Sequence, residues 1–319
     1  MTQIRPHLCG LLYCGEPGER HAKLRAGSRD PITTYALNAV TLANSARAAG
    51  EHFTVVTNDA ARVERILEGK GLSNALTLRE YDFALDVPES VPFHSAHYKL
   101  DLIRGFADGA FGPYPALVDL DAVLLRPLQL PDTDRFYAYD ISEQMWGATP
   151  DRQAVESLER LTGAAATNPR WFGGEFLTGP ADLFGELWQA IEPIWRIYRA
   201  QFAAFWHSGD EMVLSAALSL LAADDFPLAD AGSDRLAARW WSRRTVNPIP
   251  PFDHARRSAL LHLPADKEYL ASWSDRPFDA PAFIAGLTAQ TRAQLPRENL
   301  KLFAERLIGR PAQIAPRLT

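Results

Sequence analysis

The sequence predicts an α/β protein, a mixed and mostly parallel sheet flanked by helices, with a helical tail at its C-terminal end. Three observations predict it. Apolar runs and helix-period stretches alternate from His7 to Arg79 in the order β-α-β-α-β, which a parallel sheet with helical crossovers satisfies. The run Ala116-Leu-Val-Asp-Leu-Asp-Ala-Val-Leu-Leu125 carries apolar residues on both faces, as a strand buried inside such a sheet does. The 319 residues, 47% of them hydrophobic, are enough for one large domain with an appended helical piece.

Residues 7–14 read as a short first strand ending in a Gly/Pro/Glu-rich loop. Residues 31–49 form a helix with Leu37, Val40, Leu42 and Ala43 near helical spacing, closed by Gly50. Phe53-Thr-Val-Val-Thr57 is a buried strand, 60–68 a helix stopped by Gly69 and Gly71, and 75–79 a third strand. A helix over 96–107, with Tyr98, Leu102, Ile103 and Phe106 on its apolar side, feeds the run 116–125, expected to be one continuous strand. Strands at 136–139 and 171–178, the second with a glycine kink, enclose a polar helix over 152–161. A long aromatic helix spans about 181–205, and another starts after Ser208-Gly209 with Asp210 and Glu211 in its first turn. Beyond Asp224 the chain is rich in proline and arginine until a last apolar strand, Ala259-Leu-Leu-His-Leu263. Residues 279–319 read as helical, so the expected division is a catalytic domain over 1–278 and a helical extension over 279–319.

Composition narrows the function classes. A formal charge of −6 with no basic block argues against nucleic acid as a partner. The two cysteines, Cys9 and Cys14, are too few and wrongly spaced for a structural zinc site or a disulfide framework. No apolar run reaches spanning length and the first residues lack a secretory pattern, so the expectation is a cytoplasmic protein without a transmembrane segment.

Asp119 and Asp121 are the most informative residues. An apolar strand delivers both to its carboxyl end, where open α/β sheets bind ligands. Two adjacent carboxylates leaving water repel each other and need a cation or donors to stay ionised, and a divalent metal meets that need.

Around this pair the sequence resembles the GT-A glycosyltransferases, in particular the glycogenin-like and galactosyltransferase-like group, family 8-like, which takes sugar from a nucleotide diphosphate donor. Tyr98-Lys-Leu-Asp-Leu-Ile-Arg104 is similar to the helix before the metal motif, and Asp119-Leu-Asp121 to the Asp-x-Asp itself. Phe172-Gly-Gly-Glu-Phe-Leu177 is similar to the strand that usually reads Phe-Asn-Ser-Gly. Asp210-Glu-Met-Val-Leu-Ser215 resembles the helix start Asp-Gln-x-Leu-Leu-Asn, and His262-Leu-Pro-Ala-Asp-Lys267 the closing His-x-x-Gly-x-x-Lys. The matches run in the family's order over residues 7–270. Glycines replace the asparagine and serine of the strand motif, Glu211 replaces the glutamine, and the last motif lacks its glycine and is one residue shorter.

The resemblance implies a Rossmann-like GT-A fold and a hexosyltransferase using a UDP-sugar and a hydroxyl acceptor, with retention of configuration. It implies Mn²⁺ or Mg²⁺ held by Asp119, Asp121 and His262, with Asp119 also reaching the donor ribose and Lys267 facing the leaving diphosphate. Asp210 and Glu211 are the catalytic candidates, contacting the donor sugar or orienting the acceptor hydroxyl; a helix-capping role is the alternative. Tyr13, Asn58 and Asp59 stand at the first two strand ends, where nucleotide-binding loops belong, with Tyr13 available to stack on a base. Lys99 matches a position near the donor or is a snorkelling helix lysine. Gly173 and Gly174 allow close approach of a sugar or mark a bulge. Trp240 and Trp241, followed by Arg243 and Arg244, read as an acceptor platform or as packing.

Two other readings remain open. Val118-Asp-Leu-Asp-Ala-Val-Leu124 also resembles the nucleophile strand of haloacid-dehalogenase-like phosphatases, with Asp119 as nucleophile and Asp224-Asp225 as the late acidic pair, although that strand normally comes first in the chain. The third is a non-catalytic nucleotide- or glycan-binding protein of the same fold.

Overall fold

The computed structural model describes residues 4–15, 30–243, 245–247 and 249–307, with side chains up to 293. Arg244 and residues 308–319 of the expected extension lie outside the described residues. The first half of the chain builds β1 (His7–Leu12), α1 (Pro31–Ala48), β2 (Phe53–Thr57), α2 (Ala60–Glu68) and β3 (Leu78–Glu80). Local chemistry sets these boundaries. Asp30 accepts from the Thr33 amide ahead of Pro31, whose fixed φ suits the first helical position. Gly50, at φ +74°, takes the left-handed turn that ends α1. Every residue of the β-branched run in β2 is buried.

A 3₁₀ turn (His94–His97) leads into α3 (Tyr98–Ala107), followed by β4 (Pro115–Val118), β5 (Ala122–Leu124), β6 (Phe136–Asp140), α4 (Ser142–Trp146), α5 (Arg152–Thr162) and β7 (Phe172–Thr178). Then come α6 (Ala181–Gln201), α7 (Asp210–Ala222), β8 (Leu228–Asp230), β9 (Ala237–Arg239), α8 (Phe252–Ala255), β10 (Leu260–His262), α9 (Lys267–Ala271) and α10 (Ala280–Leu307). Seven strands form one sheet in the order β3-β2-β1-β4-β7-β6-β8. β7 alone runs against the rest, pairing antiparallel with both β4 and β6. The mixed, mostly parallel sheet flanked by helices is the architecture that the sequence predicts.

The run 116–125 departs from expectation: it is two strands in two sheets. β4 ends at Val118, the Asp119 amide still donates to the Glu175 carbonyl (3.1 Å), and the chain then leaves the large sheet. β5 joins a second sheet, ordered β5-β10-β9, in which β10 is antiparallel to β5 and parallel to β9. Apolar residues on both sides of the aspartates hid the break, because Leu117 and Val118 serve one sheet and Val123 and Leu124 the other. β8 and β9 were not legible within the proline- and arginine-rich stretch, and the third strand starts later than the sequence suggests, at Leu78.

α1 lies between the sheets, against β1 and β2 on one side and β5 and α9 on the other, which accounts for its burial all round. Two of its buried polar groups tie these layers together: Thr41 Oγ1 donates to the Leu270 carbonyl (2.8 Å), and Ser45 Oγ accepts from the Leu124 amide (3.0 Å). A second apolar cluster forms on the small sheet, where Val123, Trp240, Leu261 and Leu270 meet Phe283 and Leu287 from the first turns of α10. No described helix is long and apolar enough to cross a membrane.

Candidate active site

β1 and β4 are neighbours whose crossovers depart in opposite directions along the sheet, and a cavity of about 250 Å³ opens beyond their carboxyl ends. Leu11, Leu12 and Tyr13 reach it from β1, and Asp119, Leu120 and Asp121 from β4. α1, α3 and α7 bring their first turns, supplying Ile32 and Tyr35, Lys99, and Asp210 and Glu211.

Strand register assembles the charged core. In the small sheet Ala122 faces His262 across one pair, and His262 faces Arg239 across the other. Because paired residues point to one face, Arg239 and His262 project together, beside the aspartates preceding β5. The antiparallel course of β7 carries its first residues past the end of β4, so Glu175 arrives at the same place.

His262 Nε2 lies 3.0 Å from Asp121 Oδ1 and 3.7 Å from Asp119 Oδ2, while its Nδ1 faces Glu175 Oε1 at 3.5 Å. Burial opposes an imidazolium there, but Asp121 and Glu175 outweigh it and push the His262 pKa up to about 9. Lys267 Nζ is ion-paired to Asp121 Oδ2 and donates to the Pro264 carbonyl (2.9 Å). Burial alone would raise the Asp121 pKa; Lys267 and His262 reverse this and hold it well below the ordinary carboxylate range.

Lys99 Nζ pairs with Asp119 (2.6 Å) and Asp210 (3.6 Å), and donates to the Gly174 carbonyl (3.1 Å). Burial raises the pKa of both aspartates despite this cation. Gly209 is the N-terminal cap of α7, and Asp210 in the first turn serves the Lys99 contact while its carboxylate also bonds at its own backbone amide. Arg239 grips Glu175 with two nitrogens (2.6 and 2.5 Å) and reaches Glu211 Oε1 (2.6 Å), while the Trp171 indole donates to Glu211 Oε2 (3.1 Å). Burial disfavours both glutamate anions, yet Arg239 overrides it and lowers both pKa values.

Asp119, Asp121 and His262 each offer a ligand atom within 4.8 Å of the others, the one such group of His, Cys, Asp and Glu among the described residues. Oxygen and imidazole donors suit Mn²⁺ or Mg²⁺. The charge balance fits as well. Asp119, Asp121, Glu175, Asp210 and Glu211 face the fixed cations Lys99, Lys267 and Arg239, leaving two negative charges for one divalent ion when His262 is neutral.

Of the other residues named from sequence, Tyr13 is at the cavity but stacks on Tyr98, ring centroids 4.2 Å apart. Asn58 and Asp59 do not line it. Asn58 Oδ1 accepts from the Cys14 amide (2.7 Å), and Asp59 caps α2 by accepting from the Arg62 amide (2.8 Å). Gly173 and Gly174 are likewise outside the lining: a Cβ on the first would overlap the Glu175 carboxylate, and one on the second the Asp210 carboxylate. The close approach they permit is that of the ion network. Trp241 lines the cavity, whereas Trp240 packs on Phe252 in the second apolar cluster. Asp224 and Asp225, the late acidic pair of the phosphatase reading, are exposed beyond α7 and away from the cavity. Both cysteines are free. Arg239 is the residue that sequence reasoning missed; its signal is a lone charge in the small and apolar run Leu236-Ala-Ala-Arg-Trp-Trp241.

No protein-family model matches the chain, and no curated protein matches its sequence. Among solved structures it is similar to the bifunctional glycosyltransferase WbbM, in its apo form, with a TM-score of 0.46 and 12% identity over 82% of this chain. The chain spans 46% of that protein's length. It is also similar to the galactosyltransferase LgtC in complex with donor and acceptor sugar analogues, with a TM-score of 0.47 and 10% identity, covering 83% of this chain and 95% of that one.

Proposed function

We propose that this protein is a glycosyltransferase of the GT-A type, which uses Mn²⁺ or Mg²⁺ and moves a sugar from a nucleoside diphosphate donor, a UDP-sugar, to a hydroxyl acceptor. The observation that carries this reading is the Asp119, Asp121 and His262 ligand set inside a cavity that also holds Lys99 and Lys267. Transfer breaks the bond between the anomeric carbon and a diphosphate oxygen, and the departing oxygen gains negative charge. A bound divalent ion supplies a positive centre on the phosphates.

The chain's own groups do the rest. Lys267, already turned into the cavity on Asp121, adds a second positive charge for the leaving group. The apolar wall formed by Leu11, Leu12, Tyr13 and Ile32 suits the nucleoside. Glu211 is fixed through both oxygens by Arg239 and Trp171, which makes it a rigid partner for the donor sugar. Asp210, with its pKa raised by burial, is the cavity carboxylate suited to accept a hydrogen bond or proton from the acceptor hydroxyl. The retaining outcome that the sequence resemblance implies is read from the anomeric proton of the product by NMR.

UDP titrations with and without Mn²⁺ test the proposal. UDP should bind at least about tenfold more tightly with the metal, and Asp121→Asn should abolish that gain. At a concentration about a hundredfold over its dissociation constant, UDP with Mn²⁺ should add ~2.7 kcal/mol to stability. UDP binding of equal strength with and without metal overturns the metal-dependent reading.

A further inference from the structure

Glu175 poses a question that the cavity does not answer. It is fully buried, contributes nothing to the cavity wall, and so does not touch a substrate. Burying a carboxylate and a guanidinium together costs desolvation that their attraction only partly returns, so such a pair is a weak source of stability. The chain also makes room for it: a Cβ at Gly173 would fall on Glu175 Oε2 and 2.9 Å from Arg239 Nη2.

The geometry points to a positioning role. We propose that Glu175 fixes His262 for metal binding by accepting from the imidazole Nδ1, that Arg239 clamps Glu175 in that place, and that Gly173 leaves the space both need. An imidazole that binds a metal through Nε2 carries its proton on Nδ1, and a carboxylate at Nδ1 sets both the tautomer and the ring plane. Here the two nitrogens are already divided in that way, with Nε2 toward Asp121 and Asp119 and Nδ1 toward Glu175. Glu175 cannot swing away, since both its oxygens are held by Arg239 from β9 of the small sheet. Arg239 also holds Glu211, so one guanidinium ties the imidazole's partner to a carboxylate of the cavity wall.

The inference rests on the metal reading above, and its test separates the two. Mn²⁺ affinity is measured on the full chain by electron paramagnetic resonance titration, with thermal denaturation to confirm folding and long-range ¹H–¹⁵N NMR of the metal-free protein above the His262 pKa of about 9 to read the tautomer of its neutral ring. Glu175→Gln should weaken Mn²⁺ binding about 10- to 100-fold without removing a ligand, and in the metal-free protein should lose the single Nδ1–H tautomer. Gly173→Ala changes no charge and displaces the Glu175 carboxylate together with the guanidinium that clamps it, so it should weaken binding at least tenfold and stands in if Glu175→Gln does not fold. Glu211→Gln also removes a charged partner of Arg239 but none of His262, and should stay within about threefold of wild type. Wild-type binding of Mn²⁺ with Glu175→Gln and Gly173→Ala both within threefold overturns the positioning role and leaves the metal site standing; equal losses in all three variants also overturn it. Wild type that binds no Mn²⁺, even with UDP, overturns the metal reading and this inference with it.

Discussion

Behind the cavity, β1, β2 and β4 bury Leu8, Val55, Val56, Leu117 and Val118 in an interior of apolar side chains. One residue beyond β4, the chain packs five carboxylates against Lys99, Lys267 and Arg239. The two regions share a backbone and obey different rules. In the interior each side chain gains free energy by leaving water, roughly in proportion to its area, and a change at one position is felt mainly by its neighbours. At the charged edge every group loses hydration, and each stays ionised only because a specific partner is present. The edge is a set of mutual dependences, which suits a place where an incoming cation and anion must be matched in charge and position.

Removing one member of the edge is the harshest way to break this contrast. Arg239→Met leaves Glu175 and Glu211 buried without their cation and should cost about 3–5 kcal/mol in urea denaturation. Leu117→Ala, in the interior, should cost a comparable ~2–5 kcal/mol through the cavity it leaves. The two should part in a second measurement: folded Leu117→Ala should bind Mn²⁺ as wild type does, and folded Arg239→Met should bind it more weakly. If Arg239→Met is as mild as a surface substitution, the edge is not a coupled network.

The same contrast explains what was legible in the sequence. Interior strands announce themselves by apolar runs, and β1, β2, β6 and the helices α1, α2, α5 and α7 follow from periodicity and capping. The aspartates are visible because two charges interrupt such a run. What cannot be read is which charges meet. Arg239 and His262 come together through strand register, and β9 is only three residues long, inside a stretch where proline and arginine conceal the strand pattern. Gly173 and Gly174 are conspicuous in sequence, but the reason for them lies in the turned-in Glu175 carboxylate of β7 itself and in side chains from β9, α3 and α7 that only the fold brings near. The continuous strand expected over 116–125 fails for a related reason, since an apolar run does not say which of two sheets each half serves.

Proton linkage sharpens the comparison, because the edge titrates and the interior does not. In the metal-free protein His262 has its pKa raised from 6.5 to about 9 by Asp121 and Glu175 against the effect of burial. Its contribution is therefore fully present below pH 6.5 and is lost as pH rises through about 9, on the order of 1–3 kcal/mol in all. Asp121, Glu175 and Glu211 are depressed, so their contribution is present above the unfolded carboxylate values near ~4 and is lost as pH falls through the acid range. Urea midpoints measured between pH 6.5 and 9 should fall in the metal-free protein. With saturating Mg²⁺ the fall should vanish, because the ion takes the place of the Nε2 proton, and metal affinity should rise by up to about tenfold per pH unit across this window. A midpoint that does not change with pH in the metal-free protein would show that His262 is already neutral and that the charge balance of the edge is set elsewhere.

The smallest effect locates the boundary between the two regions. Asn58 and Asp59 stand at the end of β2, on the same side of the sheet as the cavity, yet their side chains bond to the backbone of Cys14 and to the first turn of α2. On this geometry Asp59 belongs to the body of the protein, and Asp59→Ala should cost only the ~1 kcal/mol of a lost helix cap. Its affinity for UDP in the presence of Mn²⁺ should remain within twofold of wild type. A tenfold loss of UDP affinity with an unchanged melting temperature would mean that the nucleotide reaches past β1 to the end of β2. The functional edge would then span three strand ends rather than two, with Asp59 holding the ligand while the α2 cap does without it.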